Sequence, residues 1–260
     1  MVETVRVGML EIGRGRPCVI APLTASDRES LVRGASALQA LPVDMAEWRV
    51  DMLDKAVDEA GTPQMDRILD TLAALRSVCR LPILATFRTA DEGGARPISD
   101  GGYAELCDVL ARSGKIELLD VEAFFRSGSS KDIIARAHGH GVPVVASNHD
   151  FHATPSSEEI VRRLTVMQDE LCADILKIAV MPRRPLDVLT LLEATRRMAD
   201  NAKRPLITMS MGPLGVVSRV AGQIFGSAAT FGAAAAASAP GQLDVRELDT
   251  VLGILERASR

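Results

Sequence analysis

Short apolar runs rich in β-branched residues alternate with longer amphipathic segments eight times along this chain. The strand-like runs are Cys18 to Ala21, Ala46 to Val50, Ile83 to Phe87, Ile116 to Val121, Val144 to Ser147, Ile175 to Val180, Leu206 to Ser210 and Ala228 to Phe231. Helical segments are expected after each, near residues 27–41, 65–78, 103–113, 131–138, 157–172, 186–201, 216–225 and 245–257. Eight strand–helix units in 260 residues predict one α/β domain spanning residues 1–260, a (β/α)8 TIM barrel. A doubly wound sheet is the structural alternative. Against it, no G-x-G-x-x-G follows the first run. Ahead of the first unit, Val5 to Ile12 with Gly13-Arg14-Gly15 reads as an N-terminal β-hairpin, the two glycines serving its turn.

Bulk properties narrow the function. A net charge of −4, with both signs mixed along the chain, argues against nucleic acid or an anionic membrane surface as a partner. Aromatic residues make up 3%, too few for a base-stacking or sugar-stacking platform. No run is long and apolar enough to span a bilayer, and the N-terminus lacks a signal-peptide pattern. A soluble cytoplasmic protein is expected. Cys18, Cys79, Cys107 and Cys172 form no C-x-x-C pair, and each lies in an apolar context. Four buried, reduced thiols are expected.

One residue violates the apolar pattern. Lys177 lies inside Ile175-Leu176-Lys177-Ile178-Ala179-Val180. A buried ammonium must be paired or lose its proton. A neutral amine in an apolar pocket attacks carbonyls, so Lys177 is a candidate Schiff-base former. A structural ion-pair lysine is the plain alternative.

The other strand ends are also polar, and barrel enzymes draw their chemistry from the C-terminal ends of several strands. Glu47, Arg49 and Asp51 alternate with Trp48 and Val50, which places the charges on one face and the apolar residues against the helices. Arg88 follows Thr86-Phe87 and leads to Asp91-Glu92-Gly93-Gly94. Asp120 and Glu122 again share a face. Ser147-Asn148-His149-Asp150-Phe151-His152 closes the fifth run. Glu47, Arg49, Asp120 and Glu122 also fit an interior ion-pair network without chemistry. Asp120, Glu122, His149 and His152 form a competing metal-site reading, although their spacing matches no specific metal motif. His138 and His140 read as surface residues.

These stretches together resemble those of the type I 3-dehydroquinate dehydratases, the Schiff-base class of that enzyme. The resemblance runs from the hairpin to the last helix. It is carried by Glu47-Trp48-Arg49-Val50-Asp51, Phe87-Arg88 with Glu92-Gly93-Gly94, Ser147 to His152, Lys177-Ile178-Ala179 and Ser238-Ala239-Pro240-Gly241-Gln242. It implies a (β/α)8 barrel, often a homodimer, acting on 3-dehydroquinate without metal or nucleotide cofactor. It also implies roles. Lys177 forms the imine, His149 is the general base and acid, and Glu92 is its carboxylate partner. Arg219 binds the substrate carboxylate, and Glu47, Arg49 and Arg88 hold the ring hydroxyls. Ser238 and Gln242 belong to a loop that closes over the substrate. For attack, the Lys177 amine must be neutral, a state favoured by burial and a nearby Arg88 and opposed by Glu47.

Two positions depart from the pattern. Pro22 stands where many members carry a serine, and Thr24, two residues on, is the replacement hydroxyl in view. Met211-Gly212-Pro213-Leu214-Gly215 is less polar than the family's loop. The runner-up is another class I Schiff-base barrel enzyme, such as an aldolase, with Gly212, Gly215 and Gly226 as weak candidates for a phosphate cradle. A catalytically dead scaffold is the third class, and an amine kept in an apolar strand speaks against it.

Overall fold

A computed structural model describes residues 2–234 and 241–259. Strands β1 (Val5–Val7) and β2 (Leu10–Ile12) form an antiparallel hairpin. Eight strands then run parallel: β3 (Cys18–Leu23), β4 (Met45–Arg49), β5 (Ile83–Thr86), β6 (Leu118–Glu122), β7 (Val144–Asp150), β8 (Ile175–Val180), β9 (Leu206–Ser210) and β10 (Ala229–Phe231). Each strand from β3 to β9 pairs with the next, and β10 pairs back onto β3. The ring closes between β9 and β10, where the Ala228 N–H donates to the Leu206 carbonyl. The expected barrel and its N-terminal hairpin are therefore both present.

Helices α1 (Arg28–Leu38), α2 (Met65–Val78), α3 (Asp100–Arg112), α4 (Ser130–Gly139), α5 (Ser157–Thr165), α6 (Pro185–Ala199), α7 (Val216–Phe225) and α8 (Val245–Ala258) follow β3 to β10 in turn. Side chains Asp27, Ser99, Ser156 and Asp244 accept backbone N–H groups at the starts of α1, α3, α5 and α8. These bonds satisfy donors that a helix start leaves open.

Several boundaries differ from the sequence expectation. The hairpin turns at Gly8-Met9, with Gly8 at φ 62°, because residues 7 and 10 pair. Gly13 and Gly15, also at positive φ, instead shape the link into β3. β6 starts at Leu118, two residues late, because the Glu117 side chain turns to accept the Ile83 N–H. β7 runs on to Asp150 because its register with β8 continues to the Asp150–Val180 pair. β4 ends at Arg49, and Val50–Met52 forms a 3-10 turn. The helix expected to reach Cys172 changes to a π turn at Val166–Glu170. Cys172 then takes a left-handed φ of 57° and is exposed, unlike Cys18, Cys79 and Cys107.

Strand periodicity builds two cores. Outward residues such as Val19, Ala46, Trp48, Ala85, Val121 and Leu176 pack against the helices. Inward residues at the N-terminal end, including Ile20, Met45, Leu84, Leu118, Val145, Ile175 and Ile207, pack with Val5, Val7 and Ile12 of the hairpin. The hairpin thus plugs the bottom of the barrel. One step further up each strand, the inward positions are Glu47, Thr86, Asp120, Ser147 and Lys177. The polar residues therefore rest on an apolar floor and open toward the C-terminal end.

Leu72 of α2 is wholly buried in the outer core. Leu72→Ala should lower the unfolding free energy by about 2–5 kcal/mol, as expected for a large-to-small core change. Denaturant titration monitored by the fluorescence of Trp48 checks this.

Candidate active site

The C-terminal mouth of the barrel holds a cavity of about 420 Å³. Lys177, His149, Glu92, Glu47, Arg49, Arg88, Arg219 and Gln242 all line it, so the fold brings these expected residues together. Ser238 lies outside the described residues. Thr24 also lines the cavity, whereas Pro22 is not among the lining residues; the hydroxyl on this side is the one two positions on.

Lys177 projects inward from β8 and is 3% exposed. Its Nζ donates to Asp120 Oδ2 at 3.1 Å and lies 3.8 Å from Glu47 Oε1. It also sits 4.7 Å from the centre of the Phe231 ring, which forms an apolar wall. Asp120 Oδ1 accepts from Arg88 at 2.7 Å, so one carboxylate is shared between the two cations. The charged groups in direct contact with the amine are therefore carboxylates, the expected Glu47 among them, and Arg88 lies nearby on the far side of Asp120. Burial acts to raise the Asp120 carboxyl, but Arg88 and Lys177 outweigh it and hold it below the usual range.

Arg88 is the hub of the ion network. Its guanidinium also donates to Glu122 at 3.1 Å, Ser147 at 3.0 Å and Glu92 at 3.4 Å. Glu122 is further held by the N–H and hydroxyl of Thr89. Asp120 and Glu122 thus belong to the interior network, and Asp120 also touches the Lys177 amine.

His149 is fixed from one side. Its Nδ1–H donates to Glu92 Oε2 at 2.9 Å, and its backbone N–H donates to the same oxygen at 2.9 Å. Asn148 donates to Glu92 Oε1 at 3.0 Å. This leaves Nε2 as the ring nitrogen for proton transfer within the cavity. Burial, reinforced by Arg88, Lys177 and Arg49, holds His149 well below the usual histidine value. It is therefore a neutral base near pH 7. Burial pushes the Glu92 carboxyl up to about 7; Arg88 opposes the rise, and Glu122 adds to it.

The loop carrying Glu92 needs its glycines. Gly93 has φ 81°, and a Cβ there would stand 2.3 Å from the Phe151 ring. A Cβ on Gly94 would stand 1.8 Å from the Arg88 carbonyl oxygen. Phe151 packs beside His149, with ring centres 6.5 Å apart.

Arg219, on α7, lines the cavity and is 2% exposed. Burial lowers it to about 10, so it stays cationic at neutral pH and suits a carboxylate. Met209 and Met211 also line the cavity, with Met209 Sδ 3.7 Å from the Arg219 guanidinium.

The metal reading finds no geometric support. Asp120 and Glu122 are engaged by Arg88, His149 is engaged by Glu92, and His152 is exposed. Among the described residues no group of three potential ligands converges. The phosphate-cradle glycines have structural tasks. A Cβ on Gly215 would stand 2.1 Å from the Ser210 carbonyl oxygen, and Gly226 ends α7 at φ 111°. His138 and His140 lie at the surface against Asp174 and Asp108.

Two residues were missed in the sequence. Asp120 was weighed only as part of an ion network or a metal site, yet it contacts Lys177. Its signal was the polar inward period Leu118, Asp120, Glu122. Asp51 was noted on the same face as Arg49 without a role, and it grips that arginine by two bonds.

Comparison with known proteins places these features in a family context. Residues 19–259 match the family model "Type I 3-dehydroquinase". The chain is 47% identical over 256 residues to the 3-dehydroquinate dehydratase of Listeria welshimeri, covering 98% of this chain and 99% of the relative. It is 45% identical over 259 residues to that of Salmonella typhimurium, covering 99% and 100%. The crystal structure of a type I 3-dehydroquinate dehydratase from Clostridium difficile, carrying covalently modified comenic acid, superposes with a TM-score of 0.93. Its identity is 42%, with 99% of this chain and 100% of that one covered. A Geobacillus kaustophilus 3-dehydroquinate dehydratase gives a TM-score of 0.92 at 36% identity, with 99% and 98% covered.

The His149–Glu92 pair sets a pH dependence. Glu92 orients the histidine best when ionised, so kcat/KM should rise with pH through about 7. Glu92→Gln should lower kcat and remove that inflection. A pH–rate profile for both proteins checks this; an unchanged inflection in the variant assigns the limb to another group.

Proposed function

The chain belongs to the type I 3-dehydroquinase family, and from that premise we propose how its residues dehydrate 3-dehydroquinate. The reaction is loss of water from a cyclic β-hydroxy ketone to give the conjugated enone 3-dehydroshikimate, a hydro-lyase step of the shikimate pathway that runs through a lysine Schiff base. The observation that carries the assignment of roles is that Lys177 and His149 line one cavity, the amine held by Asp120 and the imidazole by Glu92.

The Lys177 amine, after passing a proton to a neighbouring carboxylate, adds to the ketone carbon. Loss of water gives a protonated imine. The imine draws electrons from the adjacent C–H bond, which the ketone alone does less well. His149 Nε2 removes that proton, leaving an enamine. The enamine electrons expel the β-hydroxyl, which departs as water with the proton from His149. Hydrolysis of the conjugated imine releases the enone and restores Lys177. Glu92 holds the Nδ1–H tautomer and stabilises the imidazolium between the two proton transfers. Arg219 binds the substrate carboxylate through its planar fork. Glu47, Arg49 and Arg88 receive the ring hydroxyls, with Gln242, and Ser238 outside the described residues, completing the binding set.

The cofactor-free reading follows from this chemistry, because the imine itself is the electron sink. We further propose that the whole chain, 1–260, works as one barrel domain. It acts in the cytoplasm as a homodimer, with no nucleic-acid or membrane partner. Four free cysteines suit a reducing compartment. Among the described residues, no helix is long and apolar enough to cross a membrane. Exposed Leu186 and Leu189 on α6, Leu214, and Val217 on α7 suit contact with a second subunit.

Borohydride added with 3-dehydroquinate should inactivate the enzyme irreversibly, with the reduced adduct on Lys177 by peptide mass spectrometry. An adduct on Lys55, Lys115, Lys131 or Lys203 contradicts the assignment. His149→Ala should still form the trapped adduct, while enone absorbance grows about 10²–10⁴-fold more slowly, the usual share of general acid–base catalysis. Parent-rate turnover by this variant rules out the proposed role of His149.

A further inference from the structure

Asp51 is wholly buried at the C-terminal end of β4, yet it does not line the cavity. Both its oxygens are fully engaged. Oδ1 accepts Arg49 Nε at 2.8 Å and the Arg88 backbone N–H at 3.2 Å. Oδ2 accepts the other arm of the Arg49 fork at 2.7 Å and the Ala95 backbone N–H at 3.1 Å. Its carbonyl oxygen accepts Arg96 Nε at 3.1 Å.

The two backbone donors stand at either end of the segment that carries Glu92. That segment is folded back on itself, since the Ala90 N–H donates to the Arg96 carbonyl and the Gly94 N–H to the Thr89 carbonyl. A single carboxylate therefore binds both feet of the Glu92 loop and both arms of Arg49. The fork fixes the plane of the guanidinium as well as its distance, because two parallel bonds leave it little freedom to rotate.

We propose that Asp51 is a positioning residue that holds Arg49 and the Glu92 loop in one register, so that substrate bound by Arg49 arrives at the height of His149. This rests on the assignment of Arg49 to substrate binding. Asp51 touches no substrate in this arrangement. It acts on affinity through Arg49 and on proton transfer through the loop.

Asp51→Asn separates this role from general support. The amide keeps the shape but turns N–H groups toward one pair of donors, so one arm of the arrangement is lost. KM for 3-dehydroquinate should rise on the order of tenfold, as for loss of one charge-assisted contact, and kcat should fall as well. The borohydride-trapped adduct on Lys177 should still form at saturating substrate. If Asp51 works through Arg49, Asp51→Asn combined with Arg49→Ala should have a KM within about twofold of Arg49→Ala alone. Multiplied KM effects, or an unchanged KM in Asp51→Asn, overturn the proposal. So does an Arg49→Ala variant with parent KM, which removes the assignment of Arg49 itself. Ala95→Pro covers the case in which Asp51→Asn does not fold. It deletes one loop donor, at an exposed position that lines the cavity, and leaves the Asp51–Arg49 fork intact. It should lower kcat by a larger factor than it raises KM, and parent kcat in this variant overturns the loop half of the proposal.

Discussion

The interior of this barrel depends on the sharing of Asp120 between Arg88 and Lys177. Two cations and several carboxylates are enclosed above an apolar floor, where an unpaired charge is very costly. Removing one member of such a buried set typically costs about 3–5 kcal/mol, because its partners remain as uncompensated charges. The same arrangement that makes the charges tolerable also delivers an amine to the reaction cavity. Asp120 holds Lys177 in place through the bond from Nζ to Oδ2.

Separation of tasks follows from strand geometry. Lys177 comes from β8, Asp120 from β6, Glu47 from β4 and His149 from β7, and each is an inward position. Sheet hydrogen bonding fixes their heights relative to one another. Glu92 comes instead from the segment after β5, which is tied down at Arg88 and Ala95 by Asp51, with no room for side chains at Gly93 and Gly94. The base pair is thus half on a rigid strand and half on a loop made rigid by a buried carboxylate. His149 stays neutral because burial and three nearby cations disfavour imidazolium, a state that suits the base role proposed for it.

The apolar floor has a mechanical role. Hairpin residues Val5, Val7 and Ile12 fill the N-terminal end of the barrel and put an apolar layer beneath the ion network. At the mouth, Phe151, Met209, Met211 and Phe231 supply apolar wall and Arg49, Arg219 and Gln242 supply polar lining. This pairing of apolar wall with a few convergent polar groups is typical of small-molecule sites.

The eight alternating units, the inward period of Glu47, Arg49, Asp120 and Glu122, and the anomaly of Lys177 were all legible in the residue order. Side-chain period along a strand is a local property, and an amine in an apolar run is conspicuous without any partner in view. The family resemblance added roles for His149 and Glu92 and brought in Arg219 and Gln242, and the fold brings these four onto one cavity with Lys177. The partners were not legible. That Asp120 lies against Lys177, that Asp51 grips Arg49 and the Glu92 loop, and that Phe151 rests on Gly93 follow from the register of the closed barrel. Thr24 was in view as the hydroxyl replacing that of position 22, and the fold puts it in the cavity wall. Local breaks also escaped the pattern: the early end of β4, the π turn before Cys172, and the exposure of that thiol. Composition and period tell which way a residue points. Which residue it meets is decided by strand pairing and loop closure between segments far apart in the chain, and those exist only in the folded molecule.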